Sequence, residues 1–338
     1  MVSLKDIASE CQVSIATVSK ALNDQGDISE ATKNRISRIA KEMGYLPNAA
    51  ARALKTNKSN SIGVLFADEA RSGLTHDYFS HILDSFKKTI EAAGYDMSFI
   101  NSSLGNENRM SYLEHVKYRG YDGVVIACIN FDSPEVIELV NSNIPVVTID
   151  YIFNGVTAIA SNNERGMSEL LHYIYEQGHR KIAYIHGASS GVTNARLATF
   201  YRVAEEYGVD VPDEYIKEAA YRSIRQCAAA TKELLELPDP PTCILFPDDY
   251  SGMGGMNAIR ENGYKIPEDI SVAGFDGLSM LKHLEPTLTT VHQNTELMGQ
   301  LAAENLIAQI ESPKTALKHT VTVETDLVKG KTVRKINN

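Results

Sequence analysis

Between residues 61 and 276, short and largely apolar segments alternate with helical stretches. The apolar segments are SIGVLFA (61–67), YDMSFI (95–100), DGVVIAC (122–128), IPVVTID (144–150), KIAYIHG (181–187), PTCILFPDD (241–249) and ISVAGFD (270–276). Strands that are apolar along their length are buried on both faces, so the pattern predicts parallel sheets covered by helices. The series runs twice, which predicts two doubly wound α/β lobes.

The intervening stretches have the spacing of amphipathic helices. One apolar stripe ends before Gly94 and consists of Phe79, Ile82, Leu83, Phe86 and Ile90. Further helices are predicted near 106–119, 163–177, 194–207, 251–262 and 295–310. At 338 residues, the chain is long enough for two or three domains.

The first 45 residues have a different pattern, typical of three short helices. Each helix follows a serine that can cap it: Ser3, Ser14 and Ser29. A tight turn at Gln12 and Val13 joins the first two helices into a helix-turn-helix, whose second helix would enter the DNA major groove. A plain three-helix bundle without a DNA role would have the same pattern.

The charge distribution favours DNA binding. The formal net charge of the whole chain is −10, which argues against a nucleic-acid partner. Residues 1–60, however, contain nine Lys or Arg against six Asp or Glu, whereas the remainder contains 24 against 37. A basic region attached to an acidic body is typical of a DNA-binding module joined to a second domain.

Two motifs in order, VSIATVSKALN (13–23) and YLPNAAARAL (45–54), resemble the lac repressor/galactose repressor family of bacterial transcription regulators. The resemblance extends almost to the C-terminus. It implies an N-terminal all-α helix-turn-helix headpiece and an α/β periplasmic-binding-protein-like core of two doubly wound parallel-sheet lobes. The segment 45–54 is too short to be a stable helix alone in water, so it needs a two-fold mate or DNA as a partner.

The resemblance also implies domain boundaries. The DNA-binding domain is expected at 1–58, with a hinge helix at about 47–55, and the effector-binding and dimerisation domain at 61–338. The chain is expected to cross between lobes near 161–163, 290–293 and 322–325. The resulting N-lobe is 61–161 with 293–322, and the C-lobe is 162–292 with 323–338.

The same resemblance implies DNA contacts. The residues expected to contact bases are Ile15, Ala16 and Lys20. Those expected to contact phosphates are Ser14, Thr17, Ser19, Ser29, Thr32 and Asn48. Leu54 is expected to wedge into a central base step, with Ala51 beside it in the minor groove. Lys20 is a single point donor where the family more often has Arg, so we expect weaker or altered discrimination at that base pair. Gln12 stands where the family usually has Gly.

Acidic residues follow three apolar strands: Asp150, Asp248 with Asp249, and Asp276. Open α/β sheets bind ligands at the carboxyl ends of their strands, although an Asp there can equally cap a helix. By resemblance the effector site also contains Arg196, Gln293 and Tyr221. Tyr221 could instead be a core tyrosine. The loop ADEARSGLTHDYF of the first lobe could add Asp77, His76 or Phe79. Carboxylates with an arginine suit the vicinal hydroxyls of a sugar or other polyol. The family commonly has Asn-Asp where this chain has Asp248-Asp249, and the extra carboxylate disfavours an anionic ligand, which favours a neutral or amino-bearing sugar.

Together these features predict a repressor whose operator affinity is controlled by a small-molecule effector, and which binds double-stranded DNA as a homodimer. The alternative is a sugar-binding protein without a direct DNA role, but MVSLKDIASE is not typical of a secretion signal. No G-x-G-x-x-G follows the first strand, and no P-loop, G-x-S-x-G or metal spacing occurs, so no enzymatic activity, cofactor or metal is expected. The four widely spaced cysteines favour a reducing cytoplasm. The C-terminal KGKTVRKINN has no leucine heptad, which favours a dimer over a tetramer.

Overall fold

The computed structural model describes residues 2–46, 58–67, 73–100, 110–283 and 285–336. They form two compact units, a headpiece that ends at Ser59 and a core that begins at Asn60. The predicted hinge helix at about 47–55 lies outside the described residues.

The headpiece contains the three predicted helices, α1 (Leu4–Glu10), α2 (Ile15–Leu22) and α3 (Glu30–Glu42). Each of the three serines accepts a hydrogen bond from a backbone N–H of the first turn, which stabilises the helix start. The turn after α1 places Gln12 in the left-handed region, with φ 53°. The buried core consists of Ile7, Ala8, Cys11, Val18, Ala21, Ile36 and Ala40.

The first lobe of the core is built on a parallel sheet with the order β11-β5-β4-β3-β1-β2. Its strands are β1 (Ser61–Phe66), β2 (Asp96–Phe99), β3 (Gly123–Ala127), β4 (Val146–Ile149), β5 (Thr157–Ser161) and β11 (Thr320–Val323). Its helices are α4 (Asp77–Ala92), α5 (Tyr112–Arg119), α6 (Pro134–Val140) and α11 (Thr295–Glu311). Helix α11 lies so close to α4 that a Cβ at Gly299 would be 2.2 Å from the Ile82 carbonyl oxygen, so glycine is required there.

The second lobe has a sheet with the order β12-β10-β9-β8-β6-β7, in which only β12 runs antiparallel to its neighbour. Its strands are β6 (Ile182–His186), β7 (Ile216–Glu218), β8 (Cys243–Leu245), β9 (Ser271–Asp276), β10 (Thr289–Gln293) and β12 (Thr325–Val328). Its helices are α7 (Asn163–Glu176), α8 (Gly191–Glu206), α9 (Ile224–Leu235) and α10 (Asp249–Glu261). Single 3₁₀ turns occur at Gly73–Thr75, Asp213–Tyr215 and Ser279–His283.

The chain crosses between the two sheets three times, close to the predicted positions. The second crossing was placed near 290–293, but these residues belong to β10, and Gln293 still pairs with Thr325 in the second sheet. The crossing therefore follows Gln293, and the N-lobe resumes after it. Val323 pairs with Ser161 in the first sheet, so the third crossing follows it.

Several elements differ from the sequence prediction. The helix predicted near 106–119 begins at Tyr112, because Ser111 and Glu114 form a capping box there. Residues 106–109 of that prediction lie outside the described residues. Strands β5, β7, β10, β11 and β12 and helices α6 and α9 were not predicted from the sequence.

Candidate DNA-binding face and effector cleft

Helix α2 exposes Ile15 and Ala16, two of the three residues that the family resemblance assigned to base recognition. Val18 and Ala21 are buried against the other two helices, which turns Ile15 and Ala16 outward at the start of α2. Ile15 keeps 49% of its surface exposed although it is a large apolar residue. The exposed apolar groups can contact thymine methyl groups if the helix enters a major groove.

The start of α2 and the start of α3 have the same polar arrangement. Ser14 Oγ lies 2.9 Å from Thr17 Oγ1, and Ser29 Oγ lies 2.9 Å from Thr32 Oγ1. Backbone N–H groups and hydroxyls at a helix N-terminus suit a phosphate. Ser19 is half-buried one turn further along α2. Asn48, Ala51 and Leu54 lie outside the described residues.

The two lysines of this region are paired with carboxylates. Lys20 contacts Asp27, which lies in the loop between α2 and α3. Lys33 lies 2.5 Å from Asp24 and 2.9 Å from Glu30. Both cations are therefore neutralised locally.

In the first lobe, Asp150 follows β4 in a left-handed backbone conformation, with φ 58°. Tyr78 Oη donates a hydrogen bond of 2.7 Å to Asp150 Oδ2. Burial raises the pKa of Asp150, and the Tyr78 hydrogen bond, the Ser161 N–H and the charge of Arg196 in the second lobe oppose this rise.

In the second lobe, Asp276 ends β9, also with a positive φ, of 112°. Gln293 Nε2 donates a hydrogen bond of 2.7 Å to Asp276 Oδ1. Burial, followed by the charge of Asp248, raises the pKa of Asp276 well above its usual range. Strained backbone at non-glycine residues clusters at ligand sites, and here one such aspartate lies in each lobe.

Arg196 is buried in α8 of the second lobe. Its Nε donates to Asn163 Oδ1 (2.8 Å) and its Nη1 to the Pro247 carbonyl (3.1 Å), and the guanidinium carbon lies 3.5 Å from the centroid of the Phe275 ring. These contacts fix the guanidinium plane, which is the geometry needed for bidentate recognition of a polar ligand.

Asp248 and Asp249 are held by several donors within the second lobe. Asp248 is the N-cap of α10 and accepts hydrogen bonds from Ser251 N, Ser251 Oγ and Arg222 N. Asp249 is fully buried and accepts from Gly277 N, Leu278 N and Thr290 Oγ1. Burial raises the pKa of Asp249 to about 7. For Asp248 the helix-cap interpretation is the one that the structure shows, and Asp249 ties the end of β9 to α10.

The aromatic candidates lie in different lobes. Tyr221 donates to or accepts from Thr193 Oγ1 at 2.9 Å, and its ring fills the space above Gly187, where a Cβ would be 2.1 Å away. Phe79 is half-buried and packs edge-on against the Phe66 and Tyr78 rings, with centroids 5.8 Å and 5.0 Å apart.

Two family profiles match the chain. The profile described as "Bacterial regulatory proteins, lacI family" matches residues 3–48, and that described as "Periplasmic binding protein-like domain" matches residues 171–333. The chain is 31% identical over 319 residues to a probable HTH-type transcriptional repressor, ExuR, of Bacillus subtilis (strain 168), covering 93% of each chain. It is 30% identical over 339 residues to the HTH-type transcriptional repressor PurR of Escherichia coli O139:H28, covering 96% of each. The chain belongs to the lacI family.

The fold agrees with this assignment. A lac repressor dimer bound to operator and the anti-inducer ONPF superimposes with a TM-score of 0.84 at 25% identity, covering 98% of this chain and 99% of that one. The protein is thus a DNA-binding transcriptional repressor of the lacI family. A sugar-binding protein without a DNA role would not account for the match to the headpiece. Among the described helices, none has both the length and the apolar character needed to span a membrane.

Two side chains near the predicted effector residues were not predicted from the sequence. One is Tyr78, the donor to Asp150. The other is Arg222, which has φ 58° and a side chain only 8% exposed. From the second lobe, its Nη2 donates to the Thr75 carbonyl at 3.1 Å, and its Nη1 lies 3.6 Å from Asp77 Oδ2 in the first lobe. No local pattern marks Arg222, because its partners are about 150 positions away in the sequence.

Proposed function

We propose that this repressor binds a pseudo-palindromic operator as a homodimer, and that a sugar bound between the lobes of the core controls its operator affinity. The DNA contacts are made by Ile15, Ala16 and Lys20 of α2, with the capped starts of α2 and α3 on phosphates. Because a pseudo-palindromic site requires a two-fold protein, the active species is a dimer. The operator lies on the chromosome, so we expect the repressor in the cytoplasm.

The observation that carries the effector proposal is a group of buried or half-buried polar side chains that both lobes supply. It comprises Asp150 and Tyr78 from the first lobe, and Arg196, Asp276 and Gln293 from the second. Carboxylates and a guanidinium held at fixed angles can share the paired hydroxyls of a sugar ring. Because the group is divided between the lobes, a bound sugar stabilises one angle between them.

The angle between the lobes is the quantity that couples the two sites. A coupling free energy of about 1–3 kcal/mol would change operator affinity roughly five- to 150-fold. The predicted hinge segment 47–55 connects the core to the headpiece, so we expect the lobe angle to control the spacing of the two hinges in a dimer.

A thermal-shift screen tests the effector site. The full chain is heated with a panel of neutral sugars, amino sugars and sugar acids, and one class is expected to raise the unfolding temperature. A ligand at 100 times its Kd adds about 2.7 kcal/mol to the free energy of unfolding. Asp276→Asn should abolish the shift, whereas Asp326→Asn, the same change at an exposed position of β12, should leave it intact. An unchanged shift in Asp276→Asn would place the sugar elsewhere.

The DNA arm uses an operator selected from random duplex DNA with the full chain. Sedimentation of the complex should give two chains per operator, and the hit sugar should change the affinity of that complex. A mass of four chains, or an affinity that the sugar leaves untouched, would contradict the corresponding part of the proposal.

A further inference from the structure

The base-reading lysine of α2 has a partner that the sequence did not reveal. Lys20 Nζ contacts the carboxylate of Asp27, and the two side chains are 44% and 53% exposed, so the pair lies at the surface. The hydrogen bond from Lys20 lowers the pKa of Asp27, which is therefore ionised at neutral pH. Asp27 precedes the α3 cap Ser29 by two residues and lies beside an expected phosphate contact.

The backbone holds this carboxylate in place. Asp24 N–H donates to the Ala21 carbonyl at 3.2 Å and Gln25 N–H donates to the Lys20 carbonyl at 3.0 Å, which ties the loop to the end of α2. Asp27 follows two residues later and is anchored on its other side by α3. Asp27 has the shorter side chain of the pair, and the long lysine side chain is the more adaptable one.

We propose that Asp27 is a positioning residue that directs the Lys20 ammonium at a base edge and withholds it from the DNA phosphates. The inference rests on the proposed role of α2 as the helix that enters the major groove. An ammonium has three N–H donors, and with one on Asp27 the other two remain for the N7 and O6 acceptors of a guanine. A lysine alone is a flexible point donor, and Asp27 gives it part of the directionality that the arginine fork has by itself.

The same contact lowers affinity for DNA of unrelated sequence. Phosphate contacts carry no sequence information and provide nearly all non-specific binding. A Lys20 that is held by Asp27 is not free to add such a contact, and the carboxylate itself repels nearby phosphates. Asp27 therefore raises the ratio of specific to non-specific affinity in two ways, by holding Lys20 and by repelling phosphates.

The neighbouring pair supplies a matched control. Asp24 lies in the same loop and also pairs with a lysine, but its partner is Lys33 of α3, which the family resemblance does not place on bases. Asp24→Asn therefore changes the loop charge by the same amount as Asp27→Asn without releasing Lys20.

The test measures full-chain binding to a selected operator and to a duplex of similar length and unrelated sequence, over a range of salt. In Asp27→Asn, the free Lys20 should gain one phosphate contact on unrelated DNA. The slope of log K against log salt should then steepen by about 0.9, and affinity near 0.1 M salt should rise roughly eightfold. Operator affinity should rise less, so the specificity ratio should fall. Asp27→Glu keeps the carboxylate and should keep the specificity ratio close to that of the wild type. Asp24→Asn should change the ratio less than Asp27→Asn does.

Different failures have different meanings. Equal changes of the ratio in Asp24→Asn and Asp27→Asn would show that only loop charge matters and would overturn the positioning role. An unchanged ratio in Asp27→Asn would also overturn it, provided that Lys20→Ala weakens operator binding. If Lys20→Ala leaves operator binding intact, the proposed base contact of Lys20 is wrong instead.

Discussion

Arg222 is the side chain whose removal should most clearly loosen the two lobes from each other. Its guanidinium reaches across the cleft to the Thr75 carbonyl and to Asp77, and its carbon lies 4.1 Å from the centroid of the Tyr250 ring. Its Nε is buried without a hydrogen-bond partner among the described residues. The stacking on Tyr250 lies within the second lobe, so only the first two contacts oppose lobe opening.

The magnitude follows from those two contacts. A hydrogen bond from a charged donor contributes about 1.5–3 kcal/mol. The ion pair with Asp77 adds less than about 1 kcal/mol, because the atoms are 3.6 Å apart and the Asp77 side chain is 37% exposed. Arg222→Ala should therefore shift the equilibrium between closed and open lobes by about 2 kcal/mol, which is roughly 30-fold.

Hydrogen exchange of the effector-free protein measures this shift. Amides at 73–78 and 220–224 should exchange up to about 30-fold faster in Arg222→Ala, and small-angle X-ray scattering should show a larger radius of gyration. Arg202→Ala is the matched control, since Arg202 is an exposed arginine of α8 that pairs with Glu206 of the same helix. Equal exchange rates in the two variants would refute the role of Arg222 in holding the lobes together.

Three further perturbations test the folded structure. Gln12→Gly should raise the free energy of unfolding of the headpiece by about 0.5–1 kcal/mol, because it relieves a left-handed backbone at φ 53°, and a lower melting temperature would contradict this. Burial lowers the pKa of His179 to about 4, so between pH 4 and 6.5 the unfolded chain binds more protons and stability falls as the pH falls. Calorimetry should show a loss of about 2 kcal/mol from pH 7 to pH 5, and His179→Gln should remove that part of the pH dependence. Asp249→Ala leaves the donors at Gly277, Leu278 and Thr290 without their acceptor and should cost about 3 kcal/mol in urea unfolding; a cost below about 1 kcal/mol would refute that role.

The strand-helix alternation was enough to predict two parallel sheets, because buried parallel strands must be apolar on both faces. The alternation did not predict strands that are buried by other parts of the chain or that are very short. Strand β5 has the sequence TAIAS, with only one large apolar residue, and it is buried because its neighbours and α11 cover it. Strand β7 has only three residues, too few for any periodicity.

For the candidate site, the sequence predicted which aspartates follow strands but not which groups they contact. The sequence placed Asp150, Asp248, Asp249 and Asp276 at equivalent positions, and only three-dimensional partners distinguish them. Asp249 is held by Thr290, which is 41 residues away, whereas Asp276 faces Gln293 and the charge of Arg196. The same limit applies to Lys20, whose outward position on α2 follows from helix spacing but whose partner Asp27 depends on how the loop folds.

The path of the chain through the lobes also sets the order in which the protein can fold during synthesis. The core of the first lobe includes Met298, Ala302 and Leu306 of α11 and Val323 of β11, which are synthesised after nearly all of the second lobe. At about 5–20 residues per second, the ribosome needs tens of seconds or less to make that intervening chain. During this time β3, β4 and β5 lack α11, which packs against them, and remain available to chaperones. The lobe that is begun first is therefore completed last, whereas the headpiece, whose contacts are all local, can fold as soon as it emerges.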